Sequence, residues 1–106
     1  MRRVELRGER EVTAPGSTSA RVRRLSAEAH TVVIEIAPGG VVARHPAVVT
    51  QLFVVVHGSG WVSGATAERE AIQAGEAVLW DQGEEHESGS DEGMTALVVE
   101  AKSLDA

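Results

Sequence analysis

The sequence predicts an all-β domain, a sandwich or barrel of short strands, on three observations. Apolar residues nowhere recur at helical spacing over a dozen positions. Short apolar or alternating runs are instead separated at regular intervals by Gly, Pro, Asp and Ser clusters. Val, Ile and Ala are frequent while aromatics make up only 3% of the chain, so small branched side chains that suit strands must fill the core.

At 106 residues, with 42% hydrophobic content, the chain makes one domain over residues 1–106 and has no room for a second. Residues 1–20 are polar and charged. Val4 and Leu6 alternate before the Ala14-Pro15-Gly16-Ser17 breaker, which predicts an N-terminal arm with one edge strand, of a kind that can pair with a partner subunit. Arg21 to Leu25 predicts a short basic strand. Thr31 to Ala37 follows, with Val32, Ile34 and Ile36 on one face and Thr31, Val33 and Glu35 on the other. Pro38-Gly39-Gly40 ends it and Val41 to Arg44 starts another strand. Pro46 interrupts that one, because proline cannot donate to a ladder, so a bend is expected after His45.

Gln51 to His57 is the longest apolar strand, and Gly58-Ser59-Gly60 reads as a hairpin turn with Trp61-Val62-Ser63 as the return arm. Gly64 to Glu70 is a polar turn, Ala71 to Ala74 a short weak strand, and Ala77 to Trp80 an apolar strand ending at Asp81-Gln82-Gly83. The acidic run from Glu84 to Glu92 reads as a solvated loop, and Met94 to Glu100 as a buried last strand.

Charge and composition narrow the partners. A net charge of −6 argues against a nucleic-acid surface, which needs a positive field to displace counterions. No apolar run approaches the roughly 18 residues of a membrane span, which points away from a membrane and to a soluble, cytoplasmic protein. Without cysteine, disulfides, thiolate metal sites and cysteine nucleophiles are excluded, and no Ser-His-Asp set, phosphate loop or dinucleotide fingerprint can be assembled.

Two spaced motifs carry a family resemblance. Five residues separate Gly39 from His45, and Ala47, Gln51 and Gly58 follow at the spacing of a glycine, histidine, histidine, glutamate, glycine pattern. Gly75, Asp81, Gly83, His86 and Ser90 follow a second pattern that has glycine, proline, glycine, histidine and asparagine. In order, on a chain of this length and β content, they resemble the cupin superfamily, and the resemblance covers roughly residues 30–100 as the barrel core. It implies a double-stranded β-helix, the cupin jelly-roll barrel.

The resemblance further implies a small organic ligand in the barrel, with His45, Gln51 and His86 as metal ligands and Ala47, Phe53, Val55 and Trp80 as pocket lining. A divalent transition metal, Zn, Fe, Mn, Ni or Cu, suits such imidazole and oxygen donors. The function implied is metal-dependent oxygenation or isomerisation, with catalytic residues unassigned. The alternative is a metal-free binding or sensory dimer without catalysis, in which His45 and His86 only hydrogen-bond. Ala47 and Gln51 stand where the family has a histidine and a glutamate, so the remaining donors leave a dication's charge without offset.

Six residues along one straight strand would separate His45 and Gln51 by about 20 Å, so the chain must reverse between them. Gln51, Phe53 and Val55 then face inward, and Leu52, Val54 and Val56 outward, where a homodimer or a strand exchange would cover them. Ala47, Val48 and Val49 are expected as an apolar lip; one of Glu84, Glu85 and Glu87, next to His86 in sequence, could supply a missing carboxylate or a general base, although none sits at a family ligand position. His57 and His30 are expected to be solvent-facing and structural, and Trp61 to supply core volume.

Overall fold

The computed structural model describes residues 1–4, 7–11, 15, 21–24 and 29–102. The described residues form ten strands and no helix. They are β1 (Arg2–Arg3), β2 (Arg7–Glu11), β3 (Arg21–Arg24), β4 (His30–Ile36), β5 (Gly40–Pro46), β6 (Thr50–Ser63), β7 (Glu70–Gln73), β8 (Ala77–Trp80), β9 (Glu85–Ser90) and β10 (Met94–Ala101). Leu6, Ala14, Gly16, Ser17 and Leu25 of the expected arm, breaker and basic strand lie outside the described residues. Strands β2 and β3 pair antiparallel as a separate two-stranded sheet.

Two sheets face each other and share β6. The first runs β1-β8-β6-β10-β4, and the second runs β5-β9-β6-β7. Every pairing is antiparallel. The first part of β6 pairs with β10 over Thr50 to Gly58 and with β8 over Gln51 to Val54, and its second part pairs with β7 over Ser59 to Val62 and with β9 over Trp61 to Ser63.

The expected hairpin at Gly58-Ser59-Gly60 is therefore corrected: β6 is one 14-residue strand that crosses from sheet to sheet. Gly58 has φ +80°, and a side chain there would collide with the Gly93 carbonyl. The glycine thus lets the strand bend past Gly93, next to a register shift at Thr95/Ala96 against which Val56 is the extra residue. The hairpin turn comes later, between Ser63 and Glu70. Pro46 also remains in its strand, because among the described residues β5 is an edge strand paired only with β9 and its missing N–H breaks no second ladder.

Strand β9 corrects a second expectation. The acidic run is not wholly a solvated loop: Glu85–Ser90 is a strand of the second sheet, with His86, Ser88 and Ser90 buried on alternate positions. Its inner residues are polar, so hydrophobic alternation gives no signal for it.

The core fills the space between the sheets. Phe53, Val55, Val62, Ile72, Val78, Trp80, Met94, Ala96 and Val98 form one buried cluster with Ile36 and Ala47. On the outer face of the first sheet, Leu52, Ala77 and Leu79 form a second cluster, with Val4, Val54 and Val99 against it. Leu52 is buried within the chain and needs no partner molecule to cover it, whereas Val56 is exposed. Among the described residues no helix is long and apolar enough to cross a membrane.

Candidate functional site

Three rings from both sheets meet at one end of the barrel. The β5–β9 register sets His45 opposite His86, with ring centroids 4.3 Å apart and planes tilted by 56°. Trp80 reaches across from the first sheet and stacks on His86, at 4.3 Å and 28°. Behind it Phe53 touches the indole at 5.3 Å, and the indole N–H donates to the Ser63 carbonyl at 3.0 Å. His86, Trp80 and Phe53 are buried, and His45 is exposed.

Main-chain carbonyls set the tautomer of both histidines. Nδ1 of His45 lies 2.7 Å from the Ala43 oxygen and Nδ1 of His86 lies 3.1 Å from the Glu84 oxygen. A carbonyl can only accept, so Nδ1 carries the proton in each neutral ring and Nε2 carries the lone pair. Burial pushes the His86 pKa below the ordinary histidine value. The Glu84 carbonyl bond opposes this, and His45 lowers the value further. His86 is accordingly a neutral acceptor at pH 7.

The other residues singled out from the sequence occupy distinct places. Gln51 is buried on the inner face, level with Trp80 on one side and Glu100 on the other, and its amide donates to Glu100 Oε1 at 3.1 Å. Ala47 is buried and held by its own backbone, whose N–H donates to the Glu84 oxygen at 3.0 Å and whose carbonyl accepts from Gly83 at 2.7 Å. Val55 belongs to the core beyond Phe53. Of the apolar lip, Val48 is 80% exposed and Val49 half-buried. His30 and His57 are exposed. Trp61 is half-buried over Gly89, with the Arg69 guanidinium 3.7 Å from its ring.

Two of the nearby carboxylates, Glu84 and Glu87, are engaged elsewhere. Glu84 accepts from the Met1 amine and from the amides of Ala65 and Asp81, both at 3.1 Å. Burial raises its pKa, but these donors outweigh burial and hold it below the ordinary value. Glu87 accepts from Ser63 Oγ at 3.2 Å with Arg44 at 4.0 Å, and Glu85 is exposed. Glu100 and Ser63 were not singled out from the sequence, because only cross-strand register brings them to Gln51 and Trp80.

This donor set does not fit a resident divalent ion. No three His, Cys, Asp or Glu side chains cluster at ligand spacing among the described residues. The three candidate donors are two imidazoles and an amide whose N–H is committed to Glu100, so none of them brings a negative charge to an ion. Two clefts of about 410 and 360 Å³ lie beyond the other end of β9, the first against Trp61, Ile72 and Asp91, the second against Ile36, His57 and Met94. Neither is lined by His45 or His86.

No protein-family model matches the chain, and no curated protein matches it in sequence. Solved structures do. A conserved protein with a double-stranded β-helix domain from Klebsiella pneumoniae superposes with a TM-score of 0.64 at 18% identity, over 91% of this chain and 90% of that one. A cupin-2 domain protein from Shewanella frigidimarina gives 0.60 at 20% identity, over 74% of this chain and 78% of that one. The DMSP lyase DddQ from Ruegeria pomeroyi gives 0.67 at 17% identity, over 76% of this chain but only 42% of its own length. The fold of this chain is the double-stranded β-helix of cupins.

Proposed function

We propose that this cupin-fold chain binds a small organic molecule at the end of the barrel that carries His45 and His86, with the two imidazoles as hydrogen-bonding groups and no resident metal. The observation that carries the reading is the pinned pair: each Nδ1 is tied to a main-chain carbonyl, and the two rings lie 4.3 Å apart. With each Nδ1 so tied, Nε2 is the nitrogen left to accept, as it is in neutral His86, so the ligand suited to the pair carries an O–H or N–H donor. Val48, exposed beside buried Ala47, adds apolar surface for the ligand's body. Cupin-fold neighbours named as a DMSP lyase and a polyketide cyclase support a small organic ligand class, and no reaction is assigned to this chain.

The test joins elemental analysis of untagged protein to binding of a panel of small hydroxylated compounds, followed by the His86 ring signals in NMR. The expected result is substoichiometric metal, and a hit whose affinity falls about tenfold in His45→Ala, the usual worth of a hydrogen bond. Stoichiometric metal that disappears in the His45→Ala/His86→Ala variant would overturn the metal-free reading. Binding that leaves the His86 signals unmoved would overturn the location.

A further inference from the structure

The two sheets have four outer strands, and three are blunted. β1 is two residues long and both are arginine. β5 carries Pro46 and a register shift between Val42 and His45. β7 is four residues long and begins with Glu70. Short length, charge, proline and bulges are how sheet edges avoid pairing with other chains.

Of these β4 has only a single charge, Glu35. It is seven residues long, contains no proline, lysine or arginine, and keeps unbroken register with β10 from His30 to Ile36. Among the described residues β10 is its only ladder partner. Val33 is 63% exposed on its outer face and Val32 46% exposed on its inner face. From sequence and register alike, this is a complete edge with apolar side chains beside it.

We infer that β4 pairs antiparallel with the β4 of a second copy about a two-fold axis through Val33, joining the two first sheets into one. The inference is independent of the ligand reading above. A two-fold axis perpendicular to the sheet must set outer-face residues opposite outer-face residues, which limits the axis to a residue position. Centred on Val33, it places Val33 against the partner subunit's Val33, Val32 against the partner subunit's Ile34, and Thr31 against the partner subunit's Glu35. Only the terminal pairs, His30 with the partner subunit's Ile36, are mismatched. Moved to Val32, the axis sets Thr31 against valine and His30 against isoleucine. Moved to Ile34, it sets Val33 against the partner subunit's Glu35. Apolar matches apolar best at Val33. There the outer row Ala77, Val54, Leu97, Val33 runs on into its own copy.

The chain has no cysteine, which makes the register directly testable. Light scattering on the eluting wild-type protein should give a dimer, and Val33→Lys a monomer with an unchanged circular dichroism spectrum, since like charges would meet on the axis. Val33→Cys should oxidise to a covalent dimer, because directly opposed Cβ atoms lie about 4.5–5.5 Å apart, near disulfide reach. Glu35→Cys alone should not cross-link, whereas Thr31→Cys/Glu35→Cys should. A wild-type chain that stays monomeric at its highest soluble concentration overturns the inference. So does a dimer that survives Val33→Lys and is not trapped by Val33→Cys, and the trapping result decides the matter should Val33→Lys fail to fold.

Discussion

The two sheets share a strand yet differ on their inner faces. In the first, Phe53, Val55, Val78, Trp80, Ala96 and Val98 line the interior and are all at most 3% exposed. In the second, Val62 and Ile72 continue the core, but β9 contributes His86, Ser88 and Ser90, also buried. Burying polar groups costs free energy unless they are hydrogen-bonded. Ser90 Oγ donates to the Ser59 carbonyl at 2.6 Å and accepts from the Gly93 amide at 2.8 Å, beside the bend where β6 changes sheets. His86 spends its Nδ1 proton on the Glu84 carbonyl and keeps Nε2. Apart from the Gln51–Glu100 pair on its inner face, the first sheet thus supplies burial, and β9 supplies oriented polar groups held against that burial.

The sharpest way to break this division is to cut the first sheet's share. Phe53→Ala removes the largest ring behind Trp80 and should cost about 3–5 kcal/mol, a large part of a small domain's stability. Urea unfolding followed by tryptophan fluorescence would measure it. A loss well under 1 kcal/mol would mean that the interior is not packed around this ring. Cutting the second sheet's share should cost less. Ser90→Ala leaves the Gly93 amide and the Ser59 carbonyl without the hydroxyl, and about 1–3 kcal/mol is expected. Ser90→Thr, which keeps the hydroxyl, should restore part of that loss. Equal melts for the wild type and Ser90→Ala would show that the strand crossing does not depend on this hydroxyl.

The same difference decides what could be read from the sequence. β8 appears as expected over Ala77–Trp80, and β4 and β10 lie within a residue of expectation, because the first sheet's inner positions are apolar and alternate. β9 was unreadable as a strand because serine and histidine occupy its inward positions. Gly58 and Gly60 looked like a hairpin turn, but one glycine bends the strand past Gly93 and the other lies against the Gly89 carbonyl. Spacing brought His45 and His86 forward from the sequence, whereas their contact with Trp80 depends on the sheet-to-sheet distance, and the Gln51–Glu100 bond on cross-strand register. Local sequence encodes neither.

The smallest expected effect isolates His86 by pH. Its folded pKa lies below the ordinary value, chiefly through burial, so in the interval between the two values the unfolded chain binds more protons than the folded one. Stability must then rise with pH across that interval. The contribution is whole above about pH 6.5, the unfolded histidine value, and is lost as pH falls through the folded one. Glu84, whose pKa is also lowered, acts in a separate window: its contribution is present above the ordinary carboxylate value and is lost at more acidic pH. Urea midpoints from neutral pH down to about pH 5 therefore report on His86 ahead of Glu84. The wild type should lose stability over this range, and His86→Asn should lose less, so that any advantage of the wild type at neutral pH narrows as the pH falls. Parallel profiles for the two proteins would mean that His86 is as well solvated folded as unfolded, and the contrast between a mainly apolar first sheet and a poised polar β9 would fail at its central residue.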